Sequence, residues 1–473
     1  MARRWVLTCL AVAATAARAQ GPAPTATGPS SPAARPPAAT ATPGPATPAP
    51  AAAATPRVLT LDEAVRSARE HQPQLLQAQA ALSAAEARVD QAFSGLLPQV
   101  TGTANYERTT SNFAPRPGLT PSAIAGGGSS WTTSNYWNFG VTASELIYDF
   151  GQTTGRWRAA RASASAQRGS ERATALQVVL NVRAAYFSAR AAKDLVQVAR
   201  ETLANQEAHL RQIEGFVRIG TRPEIDLAQA RTAVANAQVQ LISAENQYAT
   251  ARAQLTQAMG LVEAFEYEVA DETLPPVEGE DLPLTPLLED ALRNRPDVTA
   301  LQEQVRAQEL TVGAVRGAYA PSLGVSTGMT DAGPAIDSTV WNWNAQATLT
   351  WNLFQGGLTR AQEREARANV DAARAQLETL RQQVRVDVEQ ARLAVRAAKA
   401  SLGAAGEAFV NARQQLRLAE GRYQAGVGSV IELGDSQVAL TTAAAQRVQA
   451  EYNVSSSRAQ LLRALGRDDA GAR

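Results

Sequence analysis

The pattern of hydrophobic and polar residues alternates with a period of two in four separate segments of the chain. Side chains of a strand point alternately to opposite faces, so this pattern predicts strands with one apolar and one polar face. The fourth segment shows it most clearly, because Trp341, Trp343 and Leu349 alternate with Asn342 and Asn344. The apolar residues of the four segments are Val100, Gly102, Ala104 and Tyr106; Trp137, Phe139, Val141 and Ala143; Leu323, Val325 and Met329; and Trp341, Trp343, Ala345, Ala347, Leu349 and Trp351.

A seven-residue period replaces the two-residue period in the segments that follow the strands. Gln152 to Arg218 is a run of 67 residues without proline, and a helix of that length extends about 100 Å. A strict seven-residue repeat of hydrophobic residues imposes left-handed supercoiling, so we predict two long antiparallel coiled-coil hairpins. The repeats are Val196, Leu203, Leu210 and Val217; Leu402, Phe409, Leu416 and Tyr423; and Leu227, Val234, Leu241, Tyr248 and Leu255.

The same plan occurs twice along the chain. Matching segments lie 223 positions apart early in each copy and 206 positions apart later, and the longer first-copy loop, Thr109 to Asn135, accounts for the difference. We predict that each copy contains a helix, two strands, a very long helix, a tight turn and a long helix. The first repeat is assigned to 58–283, ending in an acidic, proline-containing connector, and the second to 284–473. The matches are His71-Gln72-Pro73 with Asn294-Arg295-Pro296, Leu97-Pro98 with Ala320-Pro321, Tyr148-Asp149 with Phe354-Gln355, Gly220 with Gly426, and Met259-Gly260 with Leu465-Gly466.

The N-terminal residues have the pattern of an export signal. Arg3 and Arg4 precede an apolar stretch and Ala17-Arg18-Ala19, so 1–19 is predicted to be a signal peptide. Residues 20–57, which are mostly Ala, Pro, Thr and Gly, are predicted to be a disordered or polyproline-type linker. Cys9 is the only cysteine and falls inside the signal, so we expect a mature chain that begins at Gln20 and carries neither a disulfide nor a lipid anchor.

Charge and candidate chemistry argue against enzymes and nucleic-acid-binding proteins. The formal net charge is +1, and no basic run is present to hold phosphates. His71 and His209 are the only histidines, and each is expected to be a solvated helix residue rather than a ligand. No nucleophile–base arrangement, phosphate loop or acidic metal cluster stands out. We therefore expect no catalysis, no cofactor and no nucleic-acid partner.

The four strands have the length and the faces of transmembrane barrel strands, with lipid on one face and a wet lumen on the other. After the signal no apolar run reaches the roughly 18 residues of a transmembrane helix. Four strands cannot close a barrel, eight would be filled by side chains, and twelve would leave a lumen. The sequence thus predicts an oligomer, and a conducting one requires at least three chains. Half-buried strands of a soluble sheet are the alternative.

Short motifs at corresponding places in the two copies point to a family. They are Leu146-Ile147-Tyr148-Asp149-Phe150-Gly151, Leu353-Phe354-Gln355-Gly356-Gly357 and Arg422-Tyr423-x-x-Gly426. In this order, over 58–466, the chain resembles the TolC outer-membrane efflux family. The resemblance implies a mainly α fold with transmembrane β, built as a homotrimer whose twelve-stranded outer-membrane barrel continues into a periplasmic coiled-coil barrel. It also implies a passive duct for tripartite efflux or type I secretion, with a periplasmic adaptor and an inner-membrane pump as partners.

The resemblance also assigns site residues near the helical turns. Asp226, Glu432 and Asp435 correspond to carboxylates that ring the periplasmic aperture of relatives, although each also lies where negative charge complements a helix N-terminus. The predicted adaptor-contact tips are Gly220, Thr221 and Arg222 in the first copy and Gly426, Val427 and Gly428 in the second. Relatives can carry an arginine that latches the closed state; here Gly428 occupies that position, and Arg222 occupies its counterpart in the first copy.

Two other functions remain open at this stage. A structural coiled-coil protein of the envelope would explain the heptads but not the four alternating strands. A periplasmic enzyme on a helical scaffold would explain the export signal, but the chain offers no catalytic constellation.

Overall fold

The structure of the chain is a computed structural model that describes residues 57–110, 131, 133–261 and 267–468. The predicted signal and all of the predicted linker except Arg57 lie outside these residues. The described residues belong to one compact unit, Pro56–Arg473.

The elements repeat in the order that the sequence matches indicate. Helices α1 and α2 recur 223 residues later as α5 and α6, and α3 begins and ends 206 residues before α7. The first copy contains β1 (Arg57–Leu59), α1 (Leu61–His71), α2 (Pro73–Ser94), β2 (Gln99–Thr110), β3 (Thr133–Tyr148), α3 (Gln152–Arg218) and α4 (Glu224–Ala258). The second begins with β4 (Tyr267–Val269), which lies in the connector that the sequence assigned to the first repeat. It continues with α5 (Leu284–Asn294), α6 (Pro296–Gly317), β5 (Ser322–Gly333), β6 (Val340–Thr350), α7 (Leu358–Gln424) and α8 (Val430–Leu465).

Each copy opens with a short strand and two helices, so the prediction of a single opening helix was wrong. The two helices are separated by one extended residue, Gln72 or Arg295, with ψ of 118° and 120°. A proline follows in both cases, and its ring disfavours the helical conformation of the preceding residue. Pro73 and Pro296 themselves begin the next helix, where a missing N–H costs nothing.

Strands β2, β3, β5 and β6 form one antiparallel sheet in that order. They are longer than predicted, because β2 and β3 extend into both ends of the expected loop Thr109 to Asn135. Their pairing is regular except where β3 shifts register against β5 between Leu146 and Tyr148. Strands β1 and β4, which the sequence pattern did not reveal, form a separate two-stranded parallel sheet.

The main hydrophobic core lies around this small parallel sheet. Tyr186 and Phe187 in the middle of α3 are fully buried there, and the Tyr186 hydroxyl donates to the Ala270 carbonyl oxygen at 3.0 Å. The predicted connector is fastened to α8, because Glu280 accepts hydrogen bonds from Nε and Nη2 of Arg458 at 3.0 and 3.1 Å. The core therefore holds α3 and α7 near their middle and α4 and α8 at their C-terminal ends.

The long helices pair as the predicted hairpins, α3 with α4 and α7 with α8. Of the heptad residues, Val196, Leu255, Leu416 and Tyr423 are buried within one chain. Nearer the strands, α3 packs closely on α6, since a Cβ at Gly155 would lie 2.9 Å from the Ala314 Cβ. None of the helices in the described ranges combines the length and the apolar composition that a membrane-spanning helix requires.

Candidate functional site

The four-stranded sheet has one apolar face that the chain leaves uncovered. Residues directly opposite one another on neighbouring strands share a face, and one such row runs from Val141 through Met329 to Trp343. These side chains are 55%, 54% and 62% exposed. Hydrophobic side chains of this size, exposed on three adjacent strands, form a surface that needs a cover outside the described chain.

The opposite face of the sheet is polar and small. One row across all four strands consists of Thr101, Thr142, Gly328 and Asn344. None of these residues is charged, and the threonine and asparagine side chains can form hydrogen bonds with water. The two faces therefore suit two different media, as the alternating pattern predicted.

Aromatic side chains gather at both ends of the sheet. At one end Tyr106 and Trp137 pack with their ring centres 4.5 Å apart. At the other end the rings of Tyr148 and Phe150 are 4.8 Å apart, and the Trp351 indole N–H donates to the Tyr319 carbonyl oxygen at 3.1 Å. Tyrosine and tryptophan at both ends of an apolar band are typical of strands that cross a membrane.

The passage from strand to long helix has the same backbone in both copies. Phe150 and Gly151 have φ of 53° and 87°, and Gly356 and Gly357 have φ of 59° and 83°. In the first copy the buried Asp149 carboxylate accepts from the Thr153 N–H at 2.6 Å and so caps the helix. Phe150 is the one non-glycine residue with positive φ in the described part of the chain.

The first hairpin turns at the predicted tip residues. Gly220 has φ of 76° and its N–H donates to the Val217 carbonyl oxygen at 3.0 Å. The N–H and hydroxyl of Thr221 both donate to the Phe216 carbonyl oxygen at 2.9 Å. Positive φ directly after a helix favours glycine.

The second hairpin turns on Gly426, which also has φ of 76°. The N–H groups of Val427 and Gly428 donate to the Arg422 carbonyl oxygen at 3.1 and 3.0 Å. Gly428 is buried against α7, and a Cβ there would lie 2.9 Å from the Tyr423 backbone nitrogen. This turn therefore has no room for a side chain at the position where relatives can carry arginine.

Tyr423 is the point where the two hairpins meet near their tips. The Arg222 guanidinium lies 4.5 Å from the centre of the Tyr423 ring, and His209 packs edge-on against the same ring at 5.4 Å. Burial raises the pKa of Tyr423, Arg222 opposes that rise, and Asp226 adds to it. The Tyr423 hydroxyl is buried and has no hydrogen-bond partner within the described residues.

His209 is not the solvated residue that the sequence led us to expect. It lies half-buried against Tyr423, and burial lowers the pKa of its imidazole. His71, by contrast, is exposed, and its ring nitrogen contacts the Ser67 carbonyl oxygen at 3.0 Å. The heptad period marked Tyr423 as an interior residue, but sequence spacing could not show which side chains from the other hairpin would surround it.

The three predicted aperture carboxylates lie in different surroundings. Asp226 is 6% exposed, in the first turn of α4. The Glu432 carboxylate forms an ion pair with Arg422 at 3.4 Å. The Glu432 backbone N–H donates to the Ser429 hydroxyl at 3.1 Å. Asp435 is exposed. The described residues contain no group of three acidic, histidine or cysteine side chains able to hold a metal ion.

Comparison with known proteins gives the family. The model of the family described as outer membrane efflux protein matches residues 64–261 and 287–467. The solvent efflux pump outer membrane protein SrpC of Pseudomonas putida is 25% identical over 352 residues, which are 73% of this chain and 74% of that protein.

Solved structures show the same fold. The CmeC outer membrane channel of Campylobacter jejuni superposes with a TM-score of 0.74 at 20% identity, over 86% of this chain and 85% of that one. A membrane protein from Pseudomonas aeruginosa gives a TM-score of 0.74 at 21% identity, over 89% of this chain and 99% of that one. The chain therefore belongs to the outer membrane efflux protein family, and it is a non-enzymatic outer-membrane channel of efflux pumps.

Proposed function

We propose that three copies of this chain form one conduit, with a twelve-stranded barrel in the outer membrane and a helical tunnel in the periplasm. The observation that carries the proposal is that β2 and β6 are the edges of the sheet and lack a second partner in the described chain. Unpaired edges are not tolerated in lipid. Three antiparallel pairings separate β2 from β6, so β6 of one copy can pair antiparallel with β2 of the next.

The size of the sheet fits this assembly. Eight strands make a barrel that side chains fill, whereas twelve leave a lumen. Trp341 lies near the start of β6 and Trp351 directly follows its last residue, ten residues further along the chain. At about 3.3 Å per residue and a tilt of about 40°, that separation corresponds to a height of about 25 Å, which is the height of the apolar band in such barrels.

The helical hairpins offer matching surfaces for neighbouring copies. Ile225 and Val239 on α4 are 63% and 66% exposed, and Ile431 and Val438 on α8 are 66% and 65% exposed. Within each helix the two residues are separated by a multiple of seven positions. Such a stripe is the seam of a coiled coil, so these residues are proposed to contact the helices of adjacent copies.

At the tips we propose that Asp226, Glu432 and Asp435 surround the periplasmic opening. The exposure of Asp435 and the partial exposure of Glu432 support this role, since a symmetric ring of carboxylates attracts cations. We propose that the turns receive a periplasmic adaptor that links the channel to an inner-membrane pump. Gly220, Thr221, Gly426 and Val427 are exposed there, Arg222 is partly exposed, and the buried Gly428 shapes the second turn.

The polar face of the sheet supports a permissive duct. The central row that would line the lumen holds neutral side chains such as Thr142 and Asn344, so the barrel wall itself makes little distinction between charged solutes. The relative SrpC carries solvent efflux in its name, and we propose small organic molecules as the cargo. Selection is then left to the pump.

Cysteine cross-linking tests the assembly, because the predicted mature chain has no cysteine. One cysteine is placed in β2 by Thr103→Cys and the second is moved stepwise along β6. We expect disulfide-linked dimers and trimers at alternate β6 positions, and a trimer mass by light scattering in detergent. As the control, a cysteine on the interior strand, Thr142→Cys, replaces the β6 cysteine and gives no cross-link between copies. A monomeric mass, or no cross-link at any β6 position, would refute the proposal.

A further inference from the structure

A groove of about 500 Å³ lies where β3 passes into α3. Its walls come from the end of the strand, the first two turns of α3 and the exposed side of α6. The strand side carries Tyr148 and Phe150, and the helix side carries Arg158 and Glu309. The groove therefore joins an aromatic surface to charged groups, outside the tips and the sheet interior.

The aromatic side of the groove continues the apolar face of the sheet. The register shift between Leu146 and Tyr148 places Tyr148 opposite Leu323, which shares its face with Val325 and Met329. The Phe150 ring packs on Tyr148 at 4.8 Å. Both rings are more than half exposed, at 57% and 51%. This pair extends the surface that faces lipid down to the start of the helix.

The backbone at Phe150 does not require an aromatic residue. Its φ of 53° is one that glycine adopts freely and bulky residues avoid. The second copy has Gly356 at the corresponding place, with φ of 59°. The first copy thus holds a large apolar ring in a strained conformation, and the only ring it packs against in the described chain is Tyr148.

Arg158 is the one cationic side chain that lines the groove, and Asp149 and Glu309 are its two acidic side chains. The exposed Arg158 guanidinium makes no hydrogen bond or ion pair with any residue that the structure describes. Both carboxylates have other partners, because Asp149 accepts from the N–H groups of Gly151 and Thr153, and Glu309 pairs with Arg374 at 2.5 Å. An uncompensated guanidinium beside an apolar aromatic surface favours a ligand with an anionic group and a hydrocarbon part.

We propose that this groove binds one phospholipid of the inner leaflet, with its phosphate on Arg158 and its acyl chains against Tyr148 and Phe150. Guanidinium groups bind phosphate oxygens through paired hydrogen bonds, and aromatic rings settle at the level of lipid headgroups. The site rests on the proposed orientation of the sheet, in which the strand-to-helix join lies at the periplasmic side of the membrane.

Native mass spectrometry of the detergent-purified full-length protein tests the site, with short-chain phosphatidylglycerol as the probe. We expect one retained lipid per chain. Arg158→Gln should lower retention about tenfold, as loss of a charge-assisted pair does. Arg156→Gln is the matched control, because Arg156 is exposed on the same helix but does not line the groove. Equal retention by the two variants would overturn the proposal.

Phe150→Gly supplies an independent test with opposite signs. It should raise the melting temperature in lipid-free detergent, because strain is released, and lower lipid retention, because the ring is lost. An unchanged retention would contradict the assigned role of Phe150. Displacement of the lipid by equimolar inorganic phosphate would show an anion site and not a lipid site. Subunit number is measured separately, so a failure of trimer assembly is scored apart from a failure of lipid binding.

Discussion

The guanidinium carbon of Arg222 lies 4.5 Å from the centre of the Tyr423 ring, so the turn of the first hairpin rests on the last turn of α7. Arg222 is the counterpart of Gly428, and a side chain at Gly428 would meet the backbone of α7. An arginine at the tip is therefore present in this chain, but it comes from the other turn. It ties two hairpins that are otherwise joined there by hydrophobic packing around Ile213 and Leu433.

Removing this contact should loosen the tips. A cation–π contact contributes about 0.5–2 kcal/mol, so Arg222→Ala should speed hydrogen exchange of the amides around residues 209–226 by about 2- to 30-fold. Arg218→Ala, which removes an exposed arginine one turn earlier, is the control. Identical exchange in both variants would show that the Arg222 contact adds nothing to tip stability.

The aperture proposal predicts a change in ion selectivity. In Glu432→Gln with Asp435→Asn, three-fold symmetry removes six carboxylates from the opening, so cation preference in planar bilayers and block by trivalent cations should both weaken. The fold should tolerate the change, because the Arg422–Glu432 pair is partly exposed and such pairs contribute about 0–1 kcal/mol. An unchanged reversal potential in a correctly assembled double variant would show that Glu432 and Asp435 do not line the aperture.

Substitutions along β6 test which face meets lipid. Ala347 and Leu349 share the apolar face, and Thr348 between them lies on the polar face. Arginine facing lipid costs up to about 2–4 kcal/mol, whereas arginine facing the lumen stays hydrated. Ala347→Arg and Leu349→Arg should therefore reduce the yield of trimer in the outer membrane more than Thr348→Arg does. Equal yields would contradict the assignment of the two faces.

The Glu280 cluster predicts how stability depends on pH. Burial by itself raises the pKa of Glu280, but hydrogen bonds from Arg458 and Lys399 outweigh it and hold the pKa below its usual range. A carboxyl whose pKa falls on folding stabilises the protein above its unfolded pKa of about 4.3, and this contribution is lost as the pH falls through the folded value. Thermal unfolding of the wild type should therefore depend more strongly on pH than that of Glu280→Gln as the pH falls below about 4.3.

Two adjacent acids give this prediction its control. Lys399 contacts both Glu280 and Asp281, whose side chains are 5% and 85% exposed. At neutral pH Glu280→Gln should cost about 3–5 kcal/mol, because it breaks a buried ion pair and leaves Arg458 without its carboxylate partner. Asp281→Asn should cost less than about 1 kcal/mol, because its pair is open to water. Similar losses in the two variants would show that burial of the cluster does not set its strength.

The periodic parts of this fold could be predicted from the sequence. The structure places the ends of α3 at Gln152 and Arg218, as predicted, because Gly151 precedes this helix and the turn-forming Gly220 follows it. The alternation of hydrophobic and polar residues located all four long strands, because each is long enough for a period of two to show. Strands β1 and β4 have three residues each, which is too short for any period to show. Their pairing is set by burial in the core.

The site could be predicted only in part. The glycines at 220 and 426 marked both turns, since positive φ leaves a trace in the sequence. No sequence pattern indicated the neighbours of Tyr423, because Arg222 and His209 contact it from the other hairpin. The register shift before Tyr148 was equally invisible, since an inserted residue in a hydrophobic stretch leaves the composition unchanged.

The unequal turns have a consequence for symmetry. In the proposed trimer six hairpins alternate around the axis, yet the turn with Arg222 has a charged side chain where the turn with Gly428 has none. The ring is therefore pseudo-sixfold in outline and only threefold in chemistry. A partner with six identical hairpins would contact two kinds of binding site in alternation. Its subunits would therefore bind in two inequivalent sets of three.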